Sequence, residues 1–526
     1  MHENRETSGA SRPNRDRDRS EKAISRTADR HAPEESDHAV VPVNLSNKEE
    51  QSSAEMGEGR AWAKENIAKS NTSPTQSGKR VSQGLGGVRQ AAKARKQERF
   101  TALLHHVTVN LLRDSFYALK RKAAPGVDGV TWKEYETGLE DRLADLHSRV
   151  HRGTYRAQPS RRVYIPKADG RQRPLGIAAL EDKVVQQAVA TILNEIYEAD
   201  FCGFSYGFRP GRNPHQALDA LSVGLHRRRV NWVLDADIRG FFDQMSQEWT
   251  VKFVEHRVSD PRIIRLIRKW LTAGVSEEGQ WSEMTVGTPQ GAVISPLLAN
   301  IYLHYVFDLW VEAWRKKVAK GDVIVVRYAD DLVAGFESRA EAERFLNDFR
   351  NRLAQFGLEL HPEKTRLIEF GRFAALNRKQ RGEGKPETFT FLGFTHYCGK
   401  LRSTGAFTVW RETAKKRMVA KLQAIKAELR HRMHSPPASV GEWLHKVTLG
   451  YYQYHAVPGN LFRLNVFAER LRRLWRTVLI HRSQRGYVPW ERLKRLFDRW
   501  IPRPRVLHPH PMQRFDATHP RWKPYA

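Results

Sequence analysis

Val323-Ile324-Val325-Val326-Arg327-Tyr328-Ala329-Asp330-Asp331-Leu332-Val333 is the stretch on which the fold turns. A β-branched apolar run meets two adjacent carboxylates, and a second apolar run follows. The pattern predicts a hairpin with the acids at its tip. Two readings of the acids are open. Asp is common in turns, so the pair can be an ordinary polar turn. Neighbouring ionised carboxylates also repel, and a hard divalent cation such as Mg²⁺ relieves the conflict through oxygen ligands.

A second run bears on that choice. Asn231-Trp232-Val233-Leu234-Asp235-Ala236-Asp237-Ile238-Arg239-Gly240-Phe241-Phe242-Asp243 is again an apolar strand ending in acids. Alternation puts Asp235 and Asp237 on one face and Leu234 and Ala236 on the other. Two strands that each deliver a carboxylate to one end of a sheet make a plausible two-metal site. Such a site activates a 3′-hydroxyl and neutralises a phosphoryl group during in-line displacement.

Composition narrows the partners. Lys and Arg exceed Asp and Glu by 30. Residues 401–526 hold 26 Lys and Arg against 7 Asp and Glu, whereas residues 1–100 hold 19 against 15. A basic C-terminal third points to a polyanion, most commonly nucleic acid. Two cysteines, Cys202 and Cys398, exclude a disulfide framework and a Cys-rich zinc site. No apolar run is long enough to span a membrane. The N-terminal residues lack the apolar core of a secretory signal. The expectation is a cytoplasmic protein with no membrane partner.

At 526 residues, two or three domains are expected. Residues 1–85 are polar, mixed in charge and poor in aromatics, which predicts a disordered tail. From Val88 to Lys122, Leu103, Leu104, Val107, Leu111 and Leu112 recur at helical spacing. Gly371 to Thr388 is polar and glycine-rich, which predicts a surface loop. Arg411 to Met433 carries a helical stripe of Met418, Leu422, Ile425, Leu429 and Met433, with Lys421, Lys426 and Arg430 on other faces. Pro436-Pro437 then stops it. Patterns at Leu464–Val478 and Trp490–Trp500 complete a predicted three-helix bundle with a basic exterior. The tail after Ile501 is expected to be an extended strap.

The ordered motifs resemble those of reverse transcriptases, and more closely those of the group II intron-encoded reverse transcriptase/maturase family. They begin with Ala124-Pro125-Gly126-Val127-Asp128-Gly129, Arg162 to Ile177, and Phe204-Ser205-Tyr206-Gly207-Phe208-Arg209-Pro210-Gly211. The Asp237 run follows, then Gly287-Thr288-Pro289-Gln290-Gly291 with Ile294 to Leu298, and the Asp330-Asp331 hairpin. Leu360-His361-Pro362-Glu363-Lys364-Thr365 and Phe391-Leu392-Gly393-Phe394 close the set. The resemblance covers roughly residues 85 to 526. It implies an α+β, right-hand polymerase fold: fingers and palm with antiparallel sheet, followed by an α-helical thumb/maturase domain. The expected boundaries are an N-terminal extension and fingers at 86–230, a palm at 231–398, and a helical thumb/maturase domain with extended tail at 399–526.

The resemblance also implies an activity and its residues. The expected enzyme is an RNA-directed DNA polymerase that uses two Mg²⁺ ions, dNTPs, an RNA template and a DNA primer or target. It would also bind structured group II intron RNA and assist its splicing and mobility. Asp237, Asp330 and Asp331 match the catalytic acids, with the carbonyl of Ile238 as a further metal ligand. Asp235 is not expected to be a ligand. Lys167 and Arg173 match the cations that hold the triphosphate. Phe242 matches an aromatic gate against a 2′-hydroxyl. Gln290 and Gly291 fall beside the nucleotide, and Lys364 matches the lysine that protonates leaving pyrophosphate. The alternatives are a retron or diversity-generating reverse transcriptase, or an RNA-binding splicing factor without polymerase activity. Many relatives carry an endonuclease module with paired cysteines, which this sequence is expected to lack.

Overall fold

The computed structural model describes residues 76–166, 172–277, 279–283, 286–288, 291–401, 403–482 and 489–519. Lys167 and Gln290 lie outside the described residues, as do residues 1–75. The strands run in chain order as β1 (Ser160–Pro166), β2 (Gln172–Ile177), β3 (Trp232–Ala236), β4 (Val275–Glu277) and β5 (Gln280–Ser282), then β6 (Val323–Tyr328) and β7 (Asp331–Phe336). After them come β8 (Arg366–Glu369), β9 (Phe389–Phe391), β10 (Phe394–Lys400) and β11 (Phe407–Thr413).

The central sheet has the order β6-β7-β3-β8, and each of its pairings is antiparallel. Alternation on β3 has the expected outcome. Leu234 and Ala236 are buried against the helical side, and Asp235 faces the more open one. The buried side belongs to a large core that includes the helices Leu180–Tyr197, Ser295–Leu303 and Arg339–Ala354. A second cluster on the other face joins Val233, Val326, Val333 and Ile368 to the helix Pro214–Arg227 and to β9–β11. The sheet β2-β1-β4-β5 is mixed rather than purely antiparallel, because β1 pairs with β4 in parallel through Ser160↔Val275 and Arg161↔Ser276.

Several local expectations are corrected. Helix begins at Gln76, inside the stretch expected to lack structure. The Gly371–Thr388 segment contains the helix Ala374–Gln380. Arg411 belongs to β11, and the next helix starts only at Lys415. Among the described residues four helices, not three, form the C-terminal cluster: Lys415–His431, Pro437–His455, Leu461–Ile480 and Trp490–Trp500. The missed one starts at Pro437, where proline's fixed φ suits the first helical turn as well as it ends a previous one. Its buried side contains Gly441, Thr448, Tyr451, Tyr452 and His455, a weaker stripe than a row of leucines. Lys421 is buried, contrary to its expected outward face. The tail is only partly extended, since Pro511–Thr518 is helical and packs on Pro214–Arg227 through Arg514–Asp219 and Arg227–Asp516. Among the described residues no helix is long and apolar enough to cross a membrane.

Asp260 ties the N-terminal region to the core. It is fully buried, and its carboxylate accepts from Leu103 N at 2.8 Å, Leu104 N at 3.0 Å and Arg262 N at 3.0 Å. Burial alone would raise its pKa, but the Arg262 guanidinium and these N–H donors outweigh burial and hold it well below the usual range. A depressed folded-state pKa contributes stability above the unfolded value, and that contribution is lost as pH falls. Asp260→Ala is therefore expected to lower stability by about 2 kcal/mol at neutral pH. The gap from wild type should shrink below about pH 4, as urea unfolding across pH would show.

Candidate active site

The hairpin at the end of the central sheet is tight. Tyr328 pairs with Asp331, which leaves Ala329 and Asp330 as its two-residue loop. Ala329 takes the left-handed conformation such loops require, at φ +56°. On the neighbouring strand Ala236 pairs with Leu332, so the next position, Asp237, comes level with Asp331. Beyond β3, Ile238 bridges to Leu360, Arg239 N donates to Glu359 O at 2.9 Å, and His361 N donates to Asp237 O at 2.8 Å. This pairing brings Lys364 back over the sheet end. Its ammonium donates to Asp237 Oδ2 at 2.7 Å.

The electrostatics report a crowd of like charges. Burial and then Asp237 push the Asp330 carboxyl up, while Arg173 and Lys364 oppose the rise. Asp331 stands exposed at the rim of the sheet end, where crowding by the surrounding protein and repulsion from Asp330 and Asp237 push its carboxyl up. Asp235 is raised to about 6 by burial and by Asp237, against the pull of Arg366 at 3.5 Å. Asp235 is thus engaged by an arginine, whereas Asp330 and Asp331 repel each other and Asp237.

The donor chemistry fits Mg²⁺: hard carboxylate oxygens, crowded and short of positive charge. Among the described residues no three acidic, His or Cys side chains converge closely enough to form a metal cluster by themselves. Lys364 supplies the direct cationic contact to Asp237.

The remaining sequence candidates divide. Arg173 on β2 acts electrostatically on Asp330. Gly291 reaches the same strand, since a Cβ there would lie 2.8 Å from Gly176 O. Phe242 follows Gly240, packs beside Phe241 with ring centroids 5.4 Å apart, and stays partly exposed. Thr288 N donates to its carbonyl at 3.0 Å, which fastens the Gly287–Thr288 loop to this corner. Ile238 is buried in the strand bridge to Leu360. Sequence reasoning missed Arg327, Asn300 and Asp308, which sit behind the acid hairpin. A buried arginine has no signal in a hydrophobic pattern; the only cue was its place next to the motif.

The profile described as "Reverse transcriptase (RNA-dependent DNA polymerase)" matches residues 165–396. Protein YkfC of Escherichia coli is 35% identical over 275 residues, covering 46% of this chain and 72% of YkfC. The group II intron-encoded protein LtrA of Lactococcus lactis is 40% identical over 166 residues, 31% of this chain and 27% of LtrA. The 91 kDa protein in the cob intron of Schizosaccharomyces pombe is 42% identical over 146 residues, 28% of this chain and 18% of its own length. The chain belongs to the reverse transcriptase family and is an RNA-directed DNA polymerase. Within that family it is related to proteins encoded by group II introns.

Gly291 has φ +108°, a conformation closed to side chains, and meets β2 at its backbone. Gly291→Ala is expected to cut DNA synthesis about tenfold or more. Its affinity for an RNA–DNA duplex should remain within about twofold of wild type in a filter-binding titration.

Proposed function

We propose that Asp237, Asp330 and Asp331, with the carbonyl of Ile238, hold the two Mg²⁺ ions of a nucleotidyl-transfer site. The observation that carries this is the electrostatic repulsion among three carboxylates carried to one end of the central sheet, with Asp237 level with Asp331 and Lys364 on Asp237 at 2.7 Å. Bound Mg²⁺ supplies the charge that makes a primer 3′-hydroxyl a nucleophile and steadies a leaving pyrophosphate. Lys364 stands where a proton can be handed to that leaving group. Arg173, joined by Lys167, holds the triphosphate by a guanidinium fork and a point charge. Phe242 lies under the sugar and excludes a 2′-hydroxyl, and Gln290 and Gly291 border the incoming nucleotide. In this reading residues 86–230 are fingers, 231–398 palm and 399–526 thumb.

We further propose that the chain serves a group II intron, binding its RNA and assisting splicing and mobility. Support comes from the likeness to LtrA and from the exposed cations on the C-terminal helices, among them Lys426, Arg430, Arg473, Arg492 and Arg495. A second reading is a reverse transcriptase without a splicing role: the match to YkfC, a protein not named for an intron, is longer than that to LtrA.

Primer extension on an RNA template with dNTPs and Mg²⁺ tests the site. Asp330→Ala is expected to lower synthesis by at least about a thousandfold while RNA affinity persists. Synthesis unchanged in that variant would remove the assignment. Phe242→Ala should raise ribonucleotide incorporation relative to deoxyribonucleotide by about tenfold or more, as competition assays would read. Protein-dependent splicing of intron RNA adjoining the reading frame separates the two biological readings.

A further inference from the structure

Behind the acid hairpin lies a buried polar group that the proposed chemistry does not use. Arg327, the residue before Tyr328, is 1% exposed, and Asp308 is fully buried. Arg327 Nε donates to Asp308 Oδ1 at 2.7 Å and Nη2 donates to Asp308 Oδ2 at 2.6 Å. Its Nη1 donates to Asn300 Oδ1 at 3.0 Å and to the carbonyl of Ala329 at 3.0 Å. Asn300 in turn donates from Nδ2 to Gly207 O at 2.7 Å. Burial would raise the Asp308 pKa, but the guanidinium beside it and His304 hold it below the usual carboxylate range.

Two contacts of this group reach the backbone that presents Asp330, one directly at the Ala329 carbonyl and one through Asn300 and Gly207. The Ala329 carbonyl is part of the left-handed loop itself. Gly207 presses on the same loop: a Cβ there would lie 2.2 Å from Ala329 N and 2.9 Å from Tyr328 C. The segment before Gly207 covers the free edge of β6, with Arg327 N donating to Phe204 O at 2.9 Å and Tyr206 N to Arg327 O at 2.9 Å. Asn300 and Asp308 come from one helical run interrupted by a π turn at His304–Asp308. An unbroken α-helix sets residues eight apart about 80° around the axis. The wider π turn unwinds that offset and lets both side chains meet one guanidinium.

Stability does not call for this arrangement. A buried ion pair is often replaceable by apolar side chains without loss, because desolvation offsets its attraction. What apolar groups lack is the fixed fork of donors that can hold an aspartate, an asparagine and a backbone carbonyl at once.

We propose that Arg327, fixed by Asp308 and Asn300, is a positioning residue for DNA synthesis: it holds the Ala329–Asp330 loop from behind and sets where the Asp330 carboxylate stands. The proposal rests on Asp330 acting in the nucleotidyl-transfer site. It adds that the loop geometry is imposed by the protein. Arg327 itself touches neither substrate nor metal.

The test replaces the pair with apolar side chains in the full chain, Arg327→Met with Asp308→Leu, beside Asn300→Ala and Asp330→Ala. Thermal unfolding, affinity for an RNA–DNA primer–template, and single-turnover kinetics with varied dNTP are measured for each. The double variant is expected to stay folded and to bind primer–template within about twofold of wild type, while its maximal rate falls about tenfold or more. Asn300→Ala, which removes no charge, should show a smaller fall of the same kind, and it carries the test if the double variant does not fold. A folded variant with wild-type maximal rate would overturn the proposal. So would a fall in rate matched by an equal fall in folded fraction or primer–template affinity. Full synthesis by Asp330→Ala would instead show that the underlying site assignment fails.

Discussion

Mutual repulsion among Asp237, Asp330 and Asp331 is the constraint around which the rest of this molecule is arranged. Like charges held at one sheet end weaken the fold unless something opposes them, and each nearby element does so in part. Lys364 contacts Asp237 directly, Arg366 engages Asp235, and Arg173 draws on Asp330 from another sheet. The carboxyls of Asp330 and Asp331 remain raised in spite of these cations. On the proposed assignment, added positive charge at this sheet end would relieve the repulsion that these cations leave.

Rigid support makes such a site usable. Backbone pairing fixes Asp237 between β3 and the Glu359–His361 segment, while the acid loop is held at the Ala329 carbonyl by Arg327 and closely approached by Gly207. Carboxylates placed this way need little reorganisation when substrate arrives, which is the larger part of electrostatic catalysis. The C-terminal helices contribute in another manner. Their inner faces close on Leu444, Phe467, Leu471 and Trp475, and cations such as Lys426, Arg430 and Arg495 stay outside, where they would attract a polyanion. Attraction of that kind depends on salt and gives affinity before it gives specificity.

Much of the site could be read in the sequence because its signals are local. A β-branched strand broken by adjacent acids announces a hairpin, and period-two alternation puts Asp237 and Leu234 on opposite faces. Lys364 enters the expected site only through resemblance, and its contact to Asp237, 127 positions away, has no signal in the sequence. What stayed hidden depends on contacts distant in sequence. Arg327, Asn300 and Asp308 form one buried network, yet arginine and aspartate are residues normally expected outside. The helix Pro437–His455 was overlooked because Pro436-Pro437 ends one helix and begins another, and because aromatic, glycine and histidine positions diluted its stripe. The expected helix takes in the last three residues of β11, since Arg411-Glu412-Thr413 joins smoothly to a genuine helical pattern.

Iron-directed cleavage would examine the central claim most directly. Fe²⁺ replaces Mg²⁺ in the full-length protein bound to an RNA–DNA primer–template, and peroxide then cuts the backbone next to the ion. The account predicts fragments ending close to Asp237 and close to Asp330–Asp331, suppressed by excess Mg²⁺ and lost in Asp237→Ala. Cuts elsewhere in the chain, or an unchanged pattern in that variant, would contradict a shared metal site at the end of the central sheet.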